Sequence, residues 1–229
     1  MDYRGRVRLL LISSSNVHGY GYLDQPEPEM RAFVGTGRRI AFVPFAAHDH
    51  DAYMEKIRER LQRMDIDVVG IDQLSGADAV FVGGGNTFRL LKTLYERNLL
   101  DAIRDRVRGG LPYLGSSAGT VIAAPTMKTT NDMPIVEPPS FNALGFIDFQ
   151  INPHYQDPDP NSTHRGETRE DRIREFLEEN ATPVVGLREG SILRVEDGII
   201  TLLGEKTARV FRRGEEPFEA KPGVLLPLR

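Results

Sequence analysis

The sequence contains no cysteine. Disulfide bonds, thiolate metal sites and a cysteine nucleophile are therefore excluded. It also contains no apolar run near the roughly 20 residues that a membrane-spanning helix needs. Its 29 basic and 33 acidic residues give a net charge of −4, so nothing favours nucleic acid or an anionic membrane as a partner. The first residues do not have the pattern of a signal peptide. A cytoplasmic enzyme fits best, and a homo-oligomer is compatible with this composition.

The order of the apolar segments predicts an α/β fold. Strand-like and helix-like segments alternate in the first half of the chain, which is typical of a mostly parallel sheet with helices on both faces. After about residue 183 short strands follow one another, and Asp197-Gly198 predicts a hairpin turn. These strands form either an antiparallel extension of the sheet or a small second sheet. Since no linker or repeat interrupts the chain, we expect one domain over residues 1–229.

The segment at residues 111–119 carries the clearest chemical signal. A short apolar run ends in G-S-S-A-G, and helix-compatible residues follow it. The G-x-S-x-G pattern holds its central serine in a strained, exposed turn between a strand and a helix, and the glycines allow that turn to be tight. The next N–H group, on Ala118, points to where an oxyanion would form. We call residues 115–119 the serine elbow and take Ser117 as the candidate nucleophile.

Three glycines at residues 83–85 lie between a predicted strand and a predicted helix. Their backbone N–H groups can bind an anion or an oxyanion. The segment lacks the G-K-[S/T] ending of a phosphate-binding loop. We call residues 83–85 the glycine turn. Asn86 and Thr87, which can cap the next helix, are candidate substrate contacts, and so is His18 in the polar loop after the first strand.

A serine nucleophile needs a base that takes its proton. His154 follows a short apolar stretch, at the end of a predicted strand and on the edge of the sheet where Ser117 is expected. His48 and His50 stand beside aspartates in a polar loop, where they are either exposed or, as the less favoured alternative, metal ligands. His164 is a further loop residue that could contact a substrate. His154 is therefore the candidate base.

Two carboxylates compete to orient the base. Asp132 lies between Ser117 and His154 in the chain, among small polar residues that can fix it. Glu189 follows a predicted strand at residues 184–187. The short chain separation of Ser117 and His154 differs from that of an α/β-hydrolase, so another α/β scaffold is favoured.

Six segments in this order resemble the peptidase E, or aspartyl dipeptidase, family of serine peptidases. They are V-G-G-G-N-T-F at 82–88, G-S-S-A-G at 115–119, T-T-N-D-M-P-I-V at 129–136, I-N-P-H at 151–154, G-E-T-R-E at 166–170 and L-R-E-G at 187–190. The resemblance extends over residues 7–211. It implies a fold like that of class I glutamine amidotransferases and the cleavage of dipeptides with an N-terminal L-aspartate.

The resemblance also implies roles for individual residues. Ser117 would be the nucleophile and His154 the base, while the N–H groups of Gly85 and Ala118 would form the oxyanion hole. Both candidate carboxylates match positions proposed for the acid, and we prefer Asp132 with Glu189 as the alternative. No metal and no other cofactor is required. One departure is Ser116, which stands where a bulkier residue is expected and adds a second hydroxyl.

An aspartate side chain needs a fixed cation, for which a guanidinium is best suited. Thr168 and Asp171 have the spacing of a capping box, so a helix is predicted to begin there. Arg169 lies four residues before Ile173 and therefore on the inward face of that helix. We take Arg169 as the residue that binds the substrate carboxylate, whereas Arg172 and Arg174 are predicted to lie at the surface.

Two other functions are compatible with the same segments. The first is a cyanophycinase-like hydrolase, which would share the serine elbow and release β-aspartyl-arginine from a polymer. The second is a non-catalytic ligand-binding protein on the same scaffold.

Overall fold

Two sheets organise the computed structural model, which describes residues 7–158, 163 and 166–225. The first, larger sheet has eight strands, in the order β12-β9-β8-β1-β5-β4-β2-β3. The second has four, in the order β11-β10-β7-β6. The strands are β1 (Leu9–Ile12), β2 (Arg38–Val43), β3 (Ile66–Gly70), β4 (Ala79–Val82), β5 (Tyr113–Ser116), β6 (Gln150–Tyr155), β7 (Val184–Arg188), β8 (Ile192–Glu196), β9 (Ile199–Leu203), β10 (Ala208–Phe211), β11 (Phe218–Ala220) and β12 (Gly223–Leu225).

Helices cover both faces of the larger sheet. They are α1 (Glu27–Val34), α2 (His50–Gln62), α3 (Thr87–Glu96), α4 (Leu99–Arg108), α5 (Ala118–Val121) and α6 (Arg169–Glu179), with a 3-10 helix at Ile71–Gly76. Buried residues of α1 and α2 pack on one face, and those of α3, α4 and α5 pack on the other. The second sheet joins the core of the α3–α5 face, and α6 covers its far side with Ile173 and Leu177.

The mixed α/β architecture predicted from the sequence is confirmed. Strands β1 to β5 of the larger sheet are mutually parallel, and β8, β9 and β12 extend it in antiparallel fashion. Both alternatives for the C-terminal strands are realised, since β7, β10 and β11 join β6 in the second sheet. The predicted hairpin connects β8 to β9 with positive φ at Asp197 and Gly198 (52° and 75°). A single domain over residues 1–229 stays a prediction.

The ladder of β1 covers Leu9–Ile12, and the Ser13 N–H continues the pairing by donating to the Ser191 carbonyl (3.1 Å). Within the described ranges no helix is both long and apolar enough to cross a membrane. His164 and the first six residues lie outside those ranges.

Candidate active site

The serine elbow turns sharply between β5 and α5. Ser117 adopts φ 51° and ψ −108°, a sparsely populated conformation for a residue with a side chain. A Cβ atom on Gly119 would overlap the carbonyl oxygen of Val82 in the neighbouring strand. Glycine is therefore required for α5 to lie directly against β4. The tight turn raises the Ser117 hydroxyl above the end of the sheet.

The hydroxyl of Ser117 belongs to a hydrogen-bonded relay. Its Oγ lies 2.9 Å from Nε2 of His154, and Nδ1 of His154 lies 2.7 Å from Oε1 of Glu189. His154 also has a positive φ (54°), at a register shift in the pairing of β6 with β7. Glu189 follows β7 directly. A hydroxyl, an imidazole and a carboxylate in this order can transfer an acyl group through the serine.

The structure does not place Asp132, the preferred orienting carboxylate, against the imidazole of His154. Oδ2 of Asp132 instead accepts hydrogen bonds from the Thr87 N–H (2.7 Å), the Thr87 hydroxyl (2.5 Å) and the Thr130 hydroxyl (3.0 Å). These donors hold the carboxylate at the start of α3, away from the imidazole. Glu189, the alternative acid, occupies the position beside His154.

Two backbone N–H groups beside Ser117 lack an acceptor among the described residues: those of Gly85 and Ala118. The other N–H groups of the glycine turn are occupied, because Gly83 donates to Val43 (3.1 Å) and Gly84 donates to the Tyr53 hydroxyl (3.0 Å). The turn is close to the nucleophile, since a Cβ atom on Gly84 would lie 3.1 Å from that of Ser117. The predicted pair of oxyanion donors is thus free to bind a ligand.

Tyr53, in the helix α2, holds the glycine turn in place. Its ring packs edge-on against Phe42 (centroids 5.0 Å apart), and its hydroxyl fixes the glycine turn. Burial is the main cause that raises the pKa of Tyr53, and the same holds for Tyr22, whose hydroxyl lies 3.4 Å away. Both phenols therefore stay neutral. The helical spacing of Tyr53 does not indicate this hydrogen bond, because spacing predicts only the face of the helix on which the ring lies.

Ser13 connects the two sheets at the site, a role that the sequence did not indicate. The nucleophile stands on the larger sheet, whereas His154 and Glu189 stand on the second. The buried Ser13 hydroxyl, at the end of β1, donates to the Leu187 carbonyl (2.8 Å) and accepts from the His154 N–H (3.0 Å). This hydroxyl fixes the strained backbone of His154 relative to β1, whose last residue, Ile12, accepts a hydrogen bond from the Ser117 N–H (3.1 Å).

The predicted capping box is confirmed, and it places Arg169 as the first residue of α6. Arg169 forms no hydrogen bond or salt bridge within the described part of the chain. Burial lowers the pKa of its guanidinium, the charge of Arg172 lowers it further, and the charge of Asp132 opposes both. A guanidinium remains protonated under these conditions. Among the described residues, Arg169 is therefore a positive charge without a hydrogen-bonded carboxylate, within the electrostatic reach of Asp132.

The other predicted substrate contacts have different outcomes. Thr87 is fully buried, and both of its donors are committed to Asp132, so the structure does not present it to a substrate. Asn86 caps α3 by accepting from the Arg89 N–H, and its amide donates to the Met133 carbonyl. His18 is exposed, in a loop that packs on the Glu189 turn through Val17.

His48 and His50 lie at the start of α2, where the neighbouring residues make structural contacts. Asp49 caps α2 by accepting from the Ala52 N–H, and the His50 ring packs against Phe45 (centroids 5.2 Å apart). No group of three or more potential metal ligands occurs within the described residues.

The chain is similar to known proteins over most of its length. The model of peptidase family S51 matches residues 9–203. The chain is 57% identical over 224 residues to a peptidase E of Streptomyces coelicolor, covering 95% of this chain and 92% of that protein. It is 47% identical over 214 residues to a probable alpha-aspartyl dipeptidase of Drosophila melanogaster, covering 89% of each. The crystal structure of a peptidase from an acI-B1 actinobacterium superposes with a TM-score of 0.67 at 16% identity, covering 96% of this chain and 98% of that one.

Proposed function

The chain belongs to peptidase family S51, and from this premise we propose that it is a serine dipeptidase that hydrolyses dipeptides with an N-terminal L-aspartate. The relay from Ser117 through His154 to Glu189 is the observation that carries the proposal. The names of the relatives, peptidase E and alpha-aspartyl dipeptidase, support the substrate class. The cyanophycinase-like and non-catalytic alternatives receive no support from these relatives.

The geometry supports an acyl-enzyme mechanism. His154 takes the proton of the Ser117 hydroxyl, whose oxygen attacks the carbonyl carbon of the peptide bond. The N–H groups of Gly85 and Ala118 stabilise the oxyanion that forms. His154 then protonates the amine of the second residue as the peptide bond breaks, and water hydrolyses the ester on Ser117. Glu189 keeps the imidazole in its orientation and stabilises the imidazolium.

Arg169 supplies the charge that selects aspartate at the N-terminal position. Within the described chain no carboxylate is hydrogen-bonded to this half-buried guanidinium, so it gains a partner when the aspartate side chain binds. An uncharged side chain of the same shape leaves the guanidinium without that partner, a loss that solvent screening reduces because the group is only partly buried. We therefore expect the enzyme to select the side chain of the substrate's first residue by its charge as well as by its size.

Steady-state hydrolysis of Asp-Leu, Asn-Leu and β-Asp-Arg tests the proposal. We expect kcat/KM for Asp-Leu to exceed that for Asn-Leu by at least about 100-fold, and β-Asp-Arg not to be cleaved. Arg169→Met should remove most of this preference, whereas Arg172→Met should retain it, because Arg172 points to Glu167 (3.5 Å) at the surface. Faster cleavage of β-Asp-Arg than of Asp-Leu would refute the assignment.

Ser13→Ala should slow the reaction without weakening substrate binding. The change removes the acceptor of the His154 N–H and the donor to Leu187, so the imidazole loses its fixed position relative to Ser117. A displacement of about 1 Å can cost up to 10²-fold, and we expect kcat to fall about 10- to 100-fold with KM nearly constant. Ser14→Ala is the matched control, since the Ser14 hydroxyl bonds Asn16 within its own loop. A rise in KM with normal kcat would contradict the role of Ser13.

We also propose that the scaffold is related to that of class I glutamine amidotransferases. A nucleophile at a strand-to-helix turn, with a glycine turn after the neighbouring parallel strand, supports that relation. The cytoplasmic location and a homo-oligomeric state stay predictions.

A further inference from the structure

We propose that Asp132 binds the α-ammonium group of the substrate's N-terminal residue. This inference rests on the proposed dipeptidase function and adds to it a second recognition site beside that of Arg169. It assigns a function to a carboxylate that is not part of the relay from Ser117 through His154 to Glu189. Three features carry it: the fixed orientation of the carboxylate, the lack of a paired cation among the described residues, and its place at the start of α3, beside the glycine turn.

The Asp132 carboxylate is held by one oxygen only. All three of its hydrogen bonds, from the Thr87 N–H and the hydroxyls of Thr87 and Thr130, end on Oδ2. Thr87 is fully buried at the first turn of α3, so its donors cannot turn away. Within the described residues Oδ1 accepts no hydrogen bond. The carboxylate is therefore rigid, half-buried and able to accept from a ligand.

No cation of the described chain satisfies this charge. Asp132 forms no salt bridge there, and Arg169 acts on it through space without a hydrogen bond between them. An anion that is partly desolvated and unpaired is unfavourable, so proteins normally pair it or use it to bind a cation. An ammonium group with three donors would satisfy the free oxygen.

The position of Asp132 matches the position of an N-terminal ammonium. On one side Thr87 follows the glycine turn, which approaches Ser117. On the other side the amide of Asn131 donates to the Pro153 carbonyl (2.9 Å), one residue before His154. The ammonium of an N-terminal residue sits on the carbon bonded to the reacting carbonyl, so its binding group has to stand beside the oxyanion donors.

Asp132 and Arg169 together complement an N-terminal aspartate. That residue carries an ammonium and a carboxylate on adjacent carbon atoms, and the site carries a carboxylate and a guanidinium in each other's field. Because the site binds both charges, a peptide without a free N-terminal ammonium loses one of the two interactions. The site would in this way confine cleavage to the bond after the first residue.

Deletion of the ammonium from the substrate and of the charge from the protein tests this assignment. Succinyl-Leu is Asp-Leu with a hydrogen in place of the α-ammonium. We expect the unmodified enzyme to prefer Asp-Leu in kcat/KM by about 100-fold or more. Asp132→Asn keeps an oxygen that can accept from Thr87 and Thr130. For this variant, kcat/KM should fall about 100-fold with Asp-Leu and less than about threefold with succinyl-Leu.

Equal losses on the two substrates in Asp132→Asn would overturn the inference, because they would mean that Asp132 acts on the machinery and not on the ammonium. Glu189→Gln is the matched control, and it should lower kcat/KM for both substrates by the same factor. Thr130→Val removes one of the three hydrogen bonds to the carboxylate and serves if Asp132→Asn does not fold. It should impair Asp-Leu about 5- to 10-fold more than succinyl-Leu, and equal impairment again overturns the inference. An unmodified enzyme that cleaves neither substrate would instead refute the proposed function.

Discussion

Replacing Ser117 by alanine should abolish the hydrolysis of Asp-Leu while leaving the protein folded. The hydroxyl is the only group at the serine elbow that is hydrogen-bonded to the imidazole, and its loss removes the atom that forms the acyl-enzyme. In serine hydrolases the removal of the nucleophile leaves only the catalysis due to binding and the oxyanion hole. We expect kcat to fall by at least about 10⁴-fold, measured against a blank reaction with the same peptide.

Ser116→Ala is the matched control for that variant. The Ser116 hydroxyl is fully buried and has no hydrogen-bond partner in the described chain, so its loss removes an unsatisfied polar group from the core. Activity should stay within a few-fold of the unmodified enzyme, and the thermal midpoint should not fall. Full activity in Ser117→Ala, or a complete loss in Ser116→Ala, would mean that the wrong hydroxyl had been identified as the nucleophile.

Local sequence patterns were sufficient for the parts of the site that lie on one turn. The serine elbow depends on a strand, two glycines and a short helix that are contiguous in the chain, and its conformation at Ser117 is the expected one. The capping box that starts α6 is also contiguous, and Thr168 and Asp171 form it as predicted. Local chemistry of this kind can be read from spacing, because neighbouring residues have few alternative arrangements.

The choice between the two carboxylates depended on contacts between distant segments. Asp132 is close to His154 in the chain, but two threonine hydroxyls and one N–H group hold it at the start of α3. Glu189 reaches the imidazole only because β7 lies parallel to β6 in a separate sheet. How the two sheets meet cannot be inferred from local patterns, and for the same reason the role of the Ser13 hydroxyl was not predicted.

Glu189→Gln should lower kcat with little change in KM. Glutamine keeps an oxygen near Nδ1 of His154, so the hydrogen bond can persist, but the negative charge that stabilises the imidazolium is lost. Buried charge-to-amide changes of this kind cost about 10⁴-fold in other triads. Here the two side chains are 33% and 38% exposed, so water partly replaces the lost stabilisation and we expect about 10²- to 10³-fold.

The effect of Glu189→Gln on different substrates separates it from that of Asp132→Asn. Glu189 acts on the imidazole, which every substrate uses, so kcat should fall by one common factor for Asp-Leu and for succinyl-Leu. Asp132 acts on the ammonium, which only Asp-Leu has, so its loss should depend on the substrate. If Glu189→Gln kept normal kcat while Asp132→Asn lost several orders of magnitude on both peptides, Asp132 would be the orienting acid. Because both variants remove one charge and keep the shape of the side chain, the comparison isolates where each carboxylate acts.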